Sequence, residues 1–139
     1  MPLPVFEQYG HLLPENFRRR AEHYFGEFRR AENGAEAWRN GDLDTYGRLV
    51  FESGKSSIEN YECGCRELIT RYNIMTETDG IYGGRFSGAG FKGCCMALVD
   101  PACAERVLAE VEEKYLNEYP ALKGHYLGAL CDSADGVSL

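Results

Sequence analysis

The chain has 139 residues, 44% of them hydrophobic and 27% charged, enough for one compact domain with its own core and too apolar for a disordered chain. Its net charge of −7 argues against nucleic acid as a partner, because phosphates are met with lysine and arginine. No apolar run approaches the roughly 20 residues that cross a membrane, and the start, Met1-Pro2-Leu3-Pro4-Val5-Phe6-Glu7, lacks the basic and apolar regions of a secretion signal. A cytoplasmic protein without a membrane partner is expected.

Residues 1–13 carry two early prolines and read as an irregular lead-in. From Pro14 the pattern turns helical, with Phe17, Ala21, Tyr24, Phe25 and Phe28 forming an apolar stripe. Asn33-Gly34 is a candidate break, although Ala35, Ala37 and Trp38 could carry the helix to Asn40-Gly41. Asp42 can cap a second helix through Leu43, Tyr46 and Val50, weakened near Gly54 and the polar Lys55-Ser56-Ser57. A third helix is expected from about Cys65 to Glu77. Then the period changes. The run from Ile81 to Phe86 reads as a strand despite its glycines, and the one from Cys94 to Val99 as a buried central strand. Asp100-Pro101 opens another helix, with Val107, Leu108, Val111 and Tyr115 inside and Pro120 stopping it. The stretch from His125 to Cys131 reads as a last strand, and residues 133–137 as a polar, turn-rich tail. Helices followed by strand, loop, strand, helix and strand predict an α+β fold, N-terminal helices packed on a small antiparallel sheet.

The six cysteines, Cys63, Cys65, Cys94, Cys95, Cys103 and Cys131, read as free thiols of a reducing compartment. Cys63-Gly64-Cys65 and Cys94-Cys95 lack the gaps of structural zinc sites. Arg18-Arg19-Arg20, with Glu15, Glu22 and Glu27 nearby, reads as a solvated helix face. His11, His23 and His125 are scattered, and Ser56, Ser57 and Ser87 have no His/Asp pattern of a nucleophile triad. Tyr61 and Tyr82 read as packing residues.

The segment that carries chemistry is Gly83-Gly84-Arg85-Phe86-Ser87-Gly88-Ala89-Gly90-Phe91-Lys92-Gly93. Gly88, Gly90 and Gly93 match the dinucleotide fingerprint by letter, but that fingerprint needs a helix straight after the glycines, and an apolar strand follows here. What remains is a glycine-rich loop between two strands. Its backbone N–H groups can form an anion-binding nest, flanked by Arg85 and Lys92. Alternatively it is a wide hairpin whose glycines serve turn geometry alone.

Residues 83–98 resemble the third signature motif of GHMP kinases in its galactokinase form, roughly G-x-R-x-[ST]-G-[AG]-G-F-G-G-C followed by an apolar strand. The stretches 19–27, 40–53 and 61–68 resemble that family's helices in order and spacing, so the resemblance covers roughly residues 14–136. It implies a GHMP kinase C-terminal domain over 14–139, ferredoxin-like in type. It further implies the C-terminal lobe of an ATP-dependent sugar kinase that phosphorylates the anomeric hydroxyl of galactose or an acidic relative. Residues 84, 85 and 87–93 would then form one wall of the substrate and phosphate cleft. Arg85 would be structural or would add positive potential. Lys92 departs from the family's glycine and either reaches a phosphate or faces solvent. The serine-rich phosphate loop and the catalytic aspartate segment of the family are not in this sequence. ATP and Mg²⁺ are therefore implied by resemblance with their main ligands elsewhere, no catalytic or metal residue is assigned in this chain, and an N-terminal kinase lobe is the implied partner. The competing expectation is a non-catalytic binding or dimerisation module, self-associating through the face that would otherwise meet the other lobe.

Overall fold

The computed structural model describes residues 1–132. Its elements are α1 (Leu3–Tyr9), α2 (Glu15–Arg39), α3 (Leu43–Glu59), α4 (Arg66–Thr76), β1 (Ile81–Phe86), β2 (Cys95–Val99) and α5 (Ala104–Glu118). β1 and β2 form a two-stranded antiparallel sheet, and the expected α+β arrangement stands.

The lead-in is not irregular at residues 3–9. Pro2 and Pro4 fall at the N-terminus of α1, where a missing N–H costs nothing. Phe6 stacks on Phe25 of α2 at 5.0 Å, and Arg29 of α2 reaches Glu7 at 2.6 Å. Tertiary contact with α2 thus stabilises a helix too short to form alone.

α2 runs unbroken for 25 residues through Asn33-Gly34. A glycine break is not taken, because Gly34 and Ala37 are buried, and Gly34 faces Tyr46 and Leu49 of α3. Asp42 caps α3 as expected, its carboxylate accepting from the Thr45 amide at 3.0 Å. α3 also continues past Gly54 to Glu59. Gly54 is where the Tyr72 ring and the Arg85 Cβ press on the helix. The neighbouring serines satisfy their hydroxyls locally, Ser57 donating to the Ser53 carbonyl at 2.9 Å.

α3 lies against β1 with almost no separation. A Cβ on Gly47 would stand 2.0 Å from the Tyr82 carbonyl oxygen, and one on Gly83 would stand 2.1 Å from the Gly47 oxygen. Two glycines facing each other allow backbone to touch backbone. The core then forms from Leu49, Leu68, Tyr72, Met75, Phe86, Val107, Val111 and Tyr115.

Two expectations on the sheet fail. β2 is not a buried central strand: among the described residues it pairs with β1 alone, and Met96 is 58% exposed. Met96 and Ala97, on opposite faces of the strand, are both exposed, and no residue of β2 is buried. The stretch from His125 to Cys131 forms no strand. Its anchor is Tyr126, whose ring takes the Arg71 guanidinium at 4.6 Å and lies 5.7 Å from the Tyr115 ring, which takes the same guanidinium at 4.3 Å. Among the described residues the segment pairs with no strand, and this aromatic–guanidinium cluster holds it. The tail at 133–137 lies outside the described residues.

Candidate functional site

β1 and β2 present the glycine loop at one end of the hairpin. The loop is closed at its base by the Ser87 amide donating to the Cys94 carbonyl at 2.8 Å, and pinned in the middle by the Cys65 amide donating to Gly90 at 2.7 Å. Gly90 has φ 75°, and a Cβ there would lie 2.6 Å from the Phe86 ring, so this position tolerates only glycine. Phe86 is fully buried. Ser87, Gly88, Ala89, Phe91, Lys92 and Gly93 are all exposed, while Gly84 and Gly90 are buried. Seven of the nine candidate positions therefore lie together in the loop, and Gly84 and Arg85 lie below it in β1.

Arg85 does not turn towards the loop. Its Nη1 meets Glu27 of α2 at 3.3 Å and donates to the Ser53 hydroxyl of α3, while Nη2 reaches Ser57 at 3.5 Å. Glu27 also accepts from Ser53 at 2.8 Å and from Arg30 Nε at 2.6 Å. Burial pushes the Glu27 carboxyl up, but hydrogen bonds from Ser53 and Arg30 and the charge of Arg30 outweigh it and hold it below the usual carboxylate range. Of the two roles open to Arg85 in the sequence, this geometry favours the structural one: it ties the strand to two helices.

The basic run on α2 is more than a solvated face. Arg18 pairs within the helix to Glu22 at 2.5 Å. Arg19 and Arg20 instead clasp Glu62, at 2.6 and 2.7 Å, and Arg19 also donates to the Glu59 carbonyl at 3.1 Å. Glu62 has φ 60°, the only positive φ at a non-glycine position among the described residues. Hydrogen bonds from Arg20 and Arg19 hold its carboxyl low. The clasp fixes residues 60–65, which in turn hold the glycine loop through the Cys65 amide. Sequence reading missed Glu62, because its partners lie more than 40 positions away; the triple arginine run was the available signal.

His23 bonds Ser56 Oγ through Nδ1 at 3.0 Å and packs on Tyr61 at 5.0 Å. Burial lowers its pKa, against the pull of Glu27, so it is a neutral packing residue at physiological pH. Burial also pushes the Cys95 thiol up to about 11, which makes it a packed sulfhydryl and a poor nucleophile.

Among the described residues, no three His, Cys, Asp or Glu side chains stand together to hold a metal ion. Arg19, Arg20 and Arg85 are committed to carboxylates. The loop itself offers backbone amides and exposed Lys92, groups suited to an anion such as a phosphate, and supplies no ligand set for Mg²⁺. Among the described residues no helix is long and apolar enough to cross a membrane.

A helical layer locked onto an antiparallel hairpin, with a glycine loop joining its two strands, defines an α+β lobe. Residues 34–117 match the family GHMP kinases C terminal, and the chain belongs to that family. It is 44% identical over 137 residues to the galacturonokinase of Arabidopsis thaliana, covering 96% of this chain and 32% of that protein. It is 39% identical over 104 residues to the galactokinase of Bos taurus, covering 75% of this chain and 26% of that protein. The crystal structure of Lactococcus lactis galactokinase complexed with galactose superposes with a TM-score of 0.78 at 28% identity, over 86% of this chain and 31% of that one. The chain thus spans about a third of the length of the relatives it matches.

Proposed function

We propose that the chain, over residues 14–139, is the C-terminal lobe of a cytoplasmic, ATP-dependent sugar kinase that phosphorylates the anomeric hydroxyl of a galactose-like sugar once joined to an N-terminal lobe. The observation that carries this reading is the glycine loop, with exposed Gly88, Ala89, Phe91, Lys92 and Gly93 around the pinned Gly90. The likeness to a galacturonokinase and to galactokinases supports galactose or its uronic acid as the sugar class.

In such a transfer the sugar oxygen forms a bond to the γ-phosphorus, the bond to ADP breaks, and the hydroxyl proton leaves to a base. Catalysis then depends on positioning and on stabilising charge. In this reading residues 87–93 close one side of the cleft and present amide N–H groups and the Lys92 ammonium to the transferring phosphate. Gly84 and Arg85 set the strand beneath them, the Arg85–Glu27–Ser53 tie keeping the loop's base rigid. ATP and Mg²⁺ would draw their remaining ligands, and the sugar its base, from the N-terminal lobe.

The purified 139-residue chain is expected to show no ATP consumption with a panel of hexoses and uronic acids. Co-expression with the N-terminal lobe of a galacturonokinase or galactokinase restores it, and Lys92→Ala lowers the restored kcat/KM. Turnover by the chain alone, or no restoration with any lobe, overturns the reading.

A second reading is favoured by one observation: among the described residues β2 pairs with β1 alone, and its Met96 is exposed. In it the lobe is a binding or dimerisation module that adds a strand to its sheet. Light scattering separates the two, since a clean monomer across concentrations removes self-association as the chain's role.

A further inference from the structure

Between α2 and α3 lies a cavity of about 600 Å³, lined by no residue of the 87–93 loop. That size suits a small molecule. One wall is Trp38 and Tyr46, with ring centroids 5.1 Å apart. The cavity lining also includes Arg30, Arg39 and Arg85, with Glu27 the one carboxylate residue among them. Arg85 and Arg30 already share that carboxylate, and Arg39 makes no ion pair among the described residues. The cavity is therefore a locally positive spot in a chain of net charge −7.

Two features here run against stability. Gly34 sits in the middle of α2, where alanine would be the better helix former. Packing does not require it: a Cβ at that position would meet Tyr46 at 3.7 Å and Leu49 at 4.0 Å, ordinary contact distances. The missing side chain leaves the cavity floor open. Trp38, the only tryptophan of the chain, stays 53% exposed although it has a ring partner beside it. Local costs that packing does not explain mark sites kept for a ligand.

We infer that this cavity binds a small planar organic anion, its ring against Trp38 and Tyr46 and its anionic group on Arg39. Arg30 Nη2 already lies 2.6 Å from a Glu27 carboxylate oxygen, so Arg39 supplies the free charge. Arginine beside an aromatic pair suits a flat carboxylate, through bidentate hydrogen bonding and stacking. The inference does not depend on the kinase reading.

Because Trp38 is the sole tryptophan, its emission reports the cavity directly. The probe is 4-nitrobenzoate, with 4-nitrobenzyl alcohol as the neutral aromatic arm and acetate as the bare anion. Saturable quenching by 4-nitrobenzoate is expected, with a weaker response to the alcohol and none to acetate. Arg39→Gln should weaken the midpoint by about tenfold, the size of one charge-assisted hydrogen bond. Gly34→Leu fills the floor and should abolish saturation, while Gly34→Ala raises the melting temperature and weakens binding. Calorimetric titration provides a second readout. Quenching that stays linear with probe, equal response to the neutral arm, or midpoints unmoved by Arg39→Gln and Gly34→Ala overturns the inference.

Discussion

Gly47 and Gly83 decide more than their size suggests. With 2.0 Å between a Gly47 Cβ and the Tyr82 oxygen, Gly47→Ala cannot be absorbed by side-chain movement, because the obstacle is backbone. α3 must lift off β1 and open the core over Tyr72 and Phe86. A loss of about 3 kcal/mol or more is expected, visible as a collapse of the urea midpoint; retention of the wild-type midpoint would show that the helix and strand are further apart. Glu27 gives a pH signature. Its folded-state pKa lies below the ordinary carboxylate value, so the stability it adds is complete at neutral pH. That stability is lost as pH falls below the ordinary carboxylate range and through the lowered folded value. The melting-temperature gap between wild type and Glu27→Gln should be widest near pH 7 and shrink on acidification, and a gap constant in pH would remove Glu27 as its source.

At the scale of elements, local chemistry was legible and partnership was not. Asp42 ahead of Leu43 and Tyr46, the helical run from Cys65 to Glu77, the strand from Ile81 to Phe86 and Asp100 before Pro101 are signals read within one turn or strand. Each of these elements is present. Asp42→Ala should accordingly lower the melting temperature measured by thermal unfolding, with Asp42→Asn recovering most of the loss. What sequence could not give is which faces find neighbours. α1 exists because Phe6 finds Phe25, and residues 125–131 join no strand among the described residues. Cys94 to Val99 had the composition of a buried strand and sits at a sheet edge. The loop was legible because its glycines and Lys92 are adjacent in sequence. The clasp that holds it, Arg19 and Arg20 on Glu62, joins residues far apart along the chain and left only the basic run as a trace.

Across the whole molecule, three layers of support converge on the glycine loop: the strand pair beneath it, the Arg85 tie to α2 and α3, and the segment at residues 60–65. The third is different in kind. The first two rest on packing and part-buried hydrogen bonds, which dissolved ions barely touch. The clasp on Glu62 is two solvent-facing ion pairs, and they restrain a left-handed backbone that a glutamate adopts reluctantly. Such pairs weaken once the Debye length falls towards the size of the contact, about 3 Å at molar salt against about 10 Å at 0.1 M. Through the Cys65 amide that relaxation passes straight to Gly90. The loop's order is therefore tied to the electrolyte around the protein, and ionic strength acts on the far end of the hairpin through a grip made at the start of α2.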